Sequence, residues 1–196
     1  RAGTAAFVRC PVEDLVFIPN ATQAVATVLL NIEPALKPGD ELLATGHEYP
    51  ACMNNLRRIA ERTGATVVIV PIPFPLTSPD QITQAILAAV TPRTRLALIS
   101  QVTSPSGIIL PVEDLIAPLE SRGIQSIIGG APAPGFTPRA DIAALNPSYY
   151  TANCHKWMCS PKGSCFLYVR RDRQKEAGGF RPWGLSNSPE KPKPGR

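Results

Sequence analysis

Residues 150–157 read Tyr150-Thr151-Ala152-Asn153-Cys154-His155-Lys156-Trp157, with a lysine directly after a histidine and three residues after an asparagine. A lysine amine whose pKa is lowered by its surroundings can add to a carbonyl and form an imine, and Lys156 is the candidate for that chemistry. The same stretch, continued through Ser160-Pro161-Lys162-Gly163, also carries sulfur and nitrogen ligands in Cys154, His155, Cys159 and Cys165. Their spacing matches no common zinc pattern, in which cysteines come as CxxC pairs, so no metal is expected. There is no CxxCH, which excludes covalent haem attachment.

Three upstream segments could serve a ligand held by that lysine. At Asn20-Ala21-Thr22-Gln23-Ala24 a strand-like run, Leu15-Val16-Phe17-Ile18, breaks and a helix begins. Free amides and partial positive charge at a helix start suit a phosphate, and Thr22 can add a hydroxyl. Taken alone, the segment reads as an ordinary N-cap. His47-Glu48-Tyr49-Pro50-Ala51 follows a strand, where α/β folds bind ligands; Tyr49 could stack on a heterocycle or simply pack. Gln101-Val102-Thr103-Ser104-Pro105-Ser106-Gly107 also follows a strand and offers hydroxyls in a glycine-terminated turn. Alone it is a turn without a ligand.

The elements that must position these segments alternate along the chain. Short apolar runs at 41–45, 66–70, 96–100 and 124–128 have the composition of strands buried on both faces, and Phe166-Leu167-Tyr168-Val169 reads as another. Helical patterns run from Thr22 to Glu33 and from Glu48 to Thr63, ending near Gly64. Two more follow Ser78-Pro79-Asp80 and Pro111-Val112-Glu113-Asp114, and Asp141 opens a further helix-like stretch. Strand alternating with helix predicts an α/β fold with a mostly parallel sheet and right-handed crossovers.

With 196 residues, 44% apolar and 18% charged, the chain has room for one domain with a full core. No apolar run approaches the roughly 20 residues of a membrane span. Five cysteines without paired spacing point to reduced thiols and a cytoplasmic setting. The segment from Arg170 to Arg196 holds eight basic and three acidic side chains, which accounts for the whole net charge of +5. The folded part is therefore neutral, which argues against a nucleic-acid surface. Residues 173–196, rich in proline and lysine, are expected to form a disordered or loosely attached tail, and residues 1–172 the domain. A salt-sensitive contact of that tail with an acidic partner such as RNA is a lesser alternative.

Taken in order, five stretches resemble the class V aminotransferase superfamily, whose members use pyridoxal 5'-phosphate (PLP) on fold type I. They are Pro19-Asn20-Ala21-Thr22, Lys37-Pro38-Gly39-Asp40-Glu41, the His47–Ala51 segment, Val102–Gly107, and Asn153–Trp157 with Pro161-Lys162-Gly163. The nearest look is to the isopenicillin N epimerase-like branch, related to cysteine desulfurases and selenocysteine lyases, and it covers roughly residues 5–172. The resemblance implies an α/β large domain of fold type I with helices flanking a mainly parallel sheet. It implies that Lys156 is the Schiff-base lysine and moves the proton at the substrate's α-carbon. Thr22 and the amides from Ala21 onward would hold the cofactor phosphate, assisted by Asn153 and His155. Tyr49 would stack on the pyridine ring, and Thr103 would contact its phenolic oxygen. An amino-acid substrate and a homodimer are implied as well.

Two departures qualify that expectation. After the fifth strand the family usually reads Val-Asp-Gly-Ala-His-Ala-Pro-Gly, whereas this chain reads Ile128-Gly129-Gly130-Ala131-Pro132-Ala133-Pro134-Gly135. The aspartate that keeps the pyridine nitrogen protonated is thus replaced by Gly129, and the histidine by Pro132. No acidic residue nearby in sequence supplies the lost charge. The family's small C-terminal domain is also expected to be missing. The resulting expectation is impaired epimerase-type or C–S lyase chemistry, with a non-catalytic binding or dimer-partner role as the alternative.

Overall fold

A computed structural model describes residues 1–137 and 141–174. The chain enters through a short helix α1 (Ala2–Phe7) and strand β1 (Leu15–Ile18), then helix α2 (Ala21–Ile32) and strand β2 (Glu41–Thr45). Helix α3 (Pro50–Thr63) leads to β3 (Thr66–Val70), and α4 (Asp80–Ala88) to β4 (Thr94–Ser100). Helix α5 (Val112–Glu120), β5 (Gln125–Gly129), α6 (Ile142–Leu145), β6 (Tyr149–Asn153) and β7 (Cys165–Val169) complete the order.

The seven strands form one sheet in the order β1-β7-β6-β5-β4-β2-β3. From β3 to β6 every pairing is parallel; β7 runs antiparallel to both β6 and β1. The mostly parallel sheet expected from the alternating pattern is the one observed. Its central strands are buried on both faces, and their residues alternate between two cores. Leu43, Ala97, Ile99, Ile128 and Tyr150 face α4 and α5, while Leu42, Ala44, Leu98, Ile127 and Tyr149 face α2 and α3.

Local chemistry explains where the helices begin and end. The Asn20 side chain accepts the Gln23 amide at the start of α2. In α3, Pro50 sits in the first turn, and Gly64 ends the helix in the left-handed region at φ +73. Cys52, Met53, Leu56, Ile59 and Ala60 mark its buried face at helical spacing. Asp141 caps α6 by accepting the Ala144 amide, as the helix-like reading of that stretch anticipated. Two elements depart from the sequence reading. Residues 149–153 form a fully buried strand rather than part of the lysine loop, and residues 2–7 form a helix.

At the end of the sheet where the parallel strands begin, Glu120 gathers a polar network. Its Oε1 accepts from Ser126 Oγ at 2.7 Å and Ser148 Oγ at 2.6 Å, and its Oε2 pairs with Arg170 at 2.9 Å and Arg173 at 3.3 Å. Gln174 is tied to the body through Asp14 Oδ1 at 2.9 Å and Val169 O at 2.8 Å. From residue 175 on, the expected tail lies outside the described residues.

Candidate active site

The opposite end of the sheet holds a cavity of about 730 Å³, framed by the start of α2 and the segments that follow β2, β4, β5 and β6. That volume is within the range of about 300–1,000 Å³ common for small-molecule sites. All seven residues singled out in the sequence line it: Ala21, Thr22, Tyr49, Thr103, Asn153, His155 and Lys156. They come from four segments spread over more than 130 positions, and the parallel register brings them together.

The link between the lysine loop and the α2 start is direct. Asn153 Oδ1 accepts the Ala21 amide at 2.9 Å, while Asn20 Oδ1 accepts the Gln23 amide at 2.8 Å. Between them the Thr22 amide has no intramolecular acceptor among the described residues. A helix N-terminus of 12 residues thus presents an unspent donor, with the positive end of its dipole, to the cavity. Ala21 and Asn153 spend their bonding on each other, so their contribution is to fix the cradle.

Lys156 is exposed and follows Asn153 in a tight turn, its amide donating to Asn153 O at 3.3 Å. His155 is anchored through Nδ1 to Ser164 O at 2.9 Å. This loop is pinned from outside by Gly135 at φ +88, where a Cβ would lie 2.7 Å from the Trp157 carbonyl carbon. Phe136 packs on Trp157, with ring centroids 5.4 Å apart. Tyr49, half-exposed at the N-cap of α3, borders the mouth. Thr103 is buried; its Oγ1 accepts the Ile108 amide at 2.9 Å and bonds Ser106 Oγ at 2.8 Å. Ser106 also bonds His47 Nδ1 at 2.9 Å, so the turns after β2 and β4 are tied together.

Sequence reasoning missed Glu48, which is buried within the cavity wall. Its Oε1 accepts from Thr45 Oγ1 at 2.8 Å and from the Ser100 amide at 2.8 Å; its Oε2 accepts from Ser100 Oγ at 2.5 Å. Burial raises its pKa above the ordinary carboxylate range, against the opposing bonds from Ser100 and Thr45. Its place inside the His47–Ala51 motif was visible, but its contact with Ser100, 52 positions away, was not. Cys52 also lines the cavity. Burial and then the nearby Glu48 push its thiol up to about 11, against a bond with Thr22, so it stays protonated and unreactive near neutral pH.

The family model for aminotransferase class-V matches residues 1–188. The chain belongs to the class-V aminotransferase family. Among class-V relatives, the isopenicillin N epimerase of Amycolatopsis lactamdurans is 38% identical over 185 residues, covering 92% of this chain and 46% of that protein. Putative L-cysteine desulfhydrase 1 of Oryza sativa subsp. japonica is 33% identical, over 88% of this chain and 38% of that protein. The cysteine desulfurase CsdA of Escherichia coli superposes with a TM-score of 0.78 at 23% identity, over 88% of this chain and 43% of that one. The cystine C–S lyase C-DES, solved with cysteine persulfide, gives 0.78 at 25% identity, over 88% and 45%. This class-V chain thus spans less than half the length of these relatives. The fold-type-I expectation agrees with the sheet that the desulfurases share with it.

Proposed function

We propose that this chain is the PLP-binding part of an enzyme that transforms amino acids, with Lys156 as the lysine that bonds the cofactor's aldehyde carbon. One observation carries the reading: the Lys156 loop and the unspent Thr22 amide at the α2 start border one cavity, clamped together by the Asn153–Ala21 bond. The residues present fit a phosphorylated carbonyl cofactor at two points, since a positive helix end suits the phosphate and a primary amine suits the carbonyl. PLP, when bound, withdraws electrons from the substrate's α-carbon. The protein's share is to hold and orient. The Thr22 amide and hydroxyl would hold the phosphate, Asn153 and His155 would fix the loop, Tyr49 would stack on the ring and Thr103 would contact its phenolic oxygen. Lys156 would hold the cofactor's carbonyl carbon and would serve as the base that moves the α-proton.

The names of its relatives, an isopenicillin N epimerase, a putative L-cysteine desulfhydrase and a cystine C–S lyase, support epimerisation or C–S cleavage of an amino acid as the reaction class. A homodimer and a cytoplasmic setting belong to the same reading. Among the described residues, no helix is long and apolar enough to cross a membrane.

Incubation with PLP should give an absorbance band of the lysine-bound cofactor, absent in Lys156→Ala. Borohydride should fix the adduct on the peptide that contains Lys156. No band at excess cofactor would end the proposal. Gly129 favours a second reading, impaired or absent turnover, because the position that holds the family's aspartate carries no side chain. Gly129→Asp tests it: a rise in turnover supports a weakened electron sink, and an unchanged rate refutes it.

A further inference from the structure

Parallel pairing of β4 with β5 sets Ser100 beside Gly129. A Cβ built on Gly129 would meet nothing nearer than Ser100 Oγ at 3.5 Å, an ordinary contact. The same hydroxyl lies 2.5 Å from Glu48 Oε2. One serine therefore separates the vacant side-chain position at 129 from a buried carboxyl on a different element. Among the described residues, Glu48 is the one acidic side chain that lines the cavity.

We propose that Glu48 supplies the counter-charge to the cofactor's ring nitrogen in this chain, in place of an acid at position 129. This rests on the PLP-binding reading above. The donors to Glu48 are all neutral, two hydroxyls and an amide, and no cation among the described residues pairs with it. Burial without a cation disfavours the charged form of this carboxyl and the three bonds favour it, so it can release its proton to a base that stands in the cavity. A pyridine nitrogen is such a base. The proton passes from the Glu48 carboxyl to the ring nitrogen, leaving a carboxylate that faces a pyridinium, with no charge gained or lost overall. Ser100 Oγ, which donates to Oε2, steadies the resulting carboxylate.

A purely structural Glu48, tying the ends of β2 and β4, would explain its three hydrogen bonds equally well. Glutamine separates the two roles. Its amide oxygen can accept from Thr45 and the Ser100 amide, and its NH₂ can donate to Ser100 Oγ, so the bonds survive while the acid is lost.

The test uses the 196-residue chain and PLP labelled with ¹⁵N at the ring nitrogen. In the wild type, the ring nitrogen should resonate as protonated. In Glu48→Gln, PLP affinity should fall about 100-fold, the usual scale for breaking a buried charge pair, and the ring nitrogen should become neutral. In a Gly129→Asp background the same substitution should have almost no effect, because the acid at 129 has taken over. Unchanged affinity and shift in Glu48→Gln would overturn the assignment. So would equal losses in both backgrounds, or a neutral ring nitrogen in the wild type, a measurement that does not depend on any variant folding. A wild type that binds no PLP would overturn the underlying reading instead.

Discussion

Asn153 allows the phosphate cradle to be tested separately from the fold. Its Oδ1 holds the Ala21 amide at 2.9 Å across 132 residues of sequence, and the bond is buried. In Asn153→Ala the amide is left without its acceptor in the cavity wall, a loss of about 1–3 kcal/mol. For a domain of this size that is roughly 2–4 °C of Tm per kcal/mol. Asn153→Asp behaves differently. A carboxylate oxygen accepts the same amide and adds negative charge at the positive end of α2, which stabilises the helix by about 0.3–1 kcal/mol. The same charge repels a phosphate bound at Thr22. Two unit charges about 5 Å apart interact by roughly 3 kcal/mol at an effective dielectric constant of 20. Thermal melts of the cofactor-free proteins and PLP titrations should therefore move in opposite directions for Asn153→Asp: Tm held or raised, affinity reduced more than tenfold. Asn153→Ala should lower both. If Asn153→Asp binds PLP as tightly as the wild type, no phosphate sits at this helix start and the cradle argument is wrong.

Other substitutions probe the supports of the site. Gly135→Ala should lower stability by about 1–3 kcal/mol and weaken PLP binding, because its Cβ would strike the Trp157 carbonyl and push the Lys156 loop; denaturant melts and titrations would show both. Glu120→Ala removes the shared acceptor of Ser126, Ser148, Arg170 and Arg173 and should cost about 3 kcal/mol in urea unfolding, with PLP affinity unchanged because the network lies at the far end of the sheet. Burial alone would raise the Glu120 pKa, but bonds from Ser148, Ser126 and Arg170 outweigh it and hold it below the ordinary carboxylate range. Its stabilisation is therefore present above the unfolded-state pKa and lost as pH falls through the lowered folded value; Glu120→Gln should flatten that acid limb of the stability curve. Tyr49→Ala should weaken PLP binding about tenfold with little change in Tm, since the ring is half-exposed; equal loss of Tm would make it a packing residue.

Much of this arrangement was legible in the sequence, for identifiable reasons. The runs at 41–45 and 66–70 coincide with β2 and β3: β2 is buried throughout, as a short continuous apolar run suggests, whereas β3 is the partly exposed edge strand, legible through its β-branched Thr and Val residues. Gly64 marked a helix end because, lacking a Cβ, it adopts the left-handed region freely, and Asp141 marked a helix start because its carboxylate accepts the Ala144 amide. The strand at 149–153 was hidden because Tyr149, Tyr150, Thr151 and Asn153 look polar, although each is buried with a specific partner or face. Tyr150, for example, is fully buried with its hydroxyl donating to Gln101 Oε1 at 2.6 Å. The ordered motifs identified the residues that line the cavity because each sits next to a strand or helix end. Glu48 is remote from Gly129 in sequence, and the two come near each other only through Ser100. Strand register, which sets Ser100 against Gly129, is a long-range property that no local window contains.

The single ladder partner of β1 has a consequence for the order of assembly. Among the described residues the first strand pairs only with β7, Leu15 opposite Tyr168, while β2 through β6 form a ladder that needs neither of them. During synthesis the α2 start waits beside an unpaired strand until some 150 further residues have emerged, and closing so long a loop is slow. Any ligand held at Thr22 then meets a completed cradle only after the last strand has docked. Ligand capture by the nascent chain would accordingly report the late docking of β1 on β7, not the earlier formation of the β2–β6 ladder.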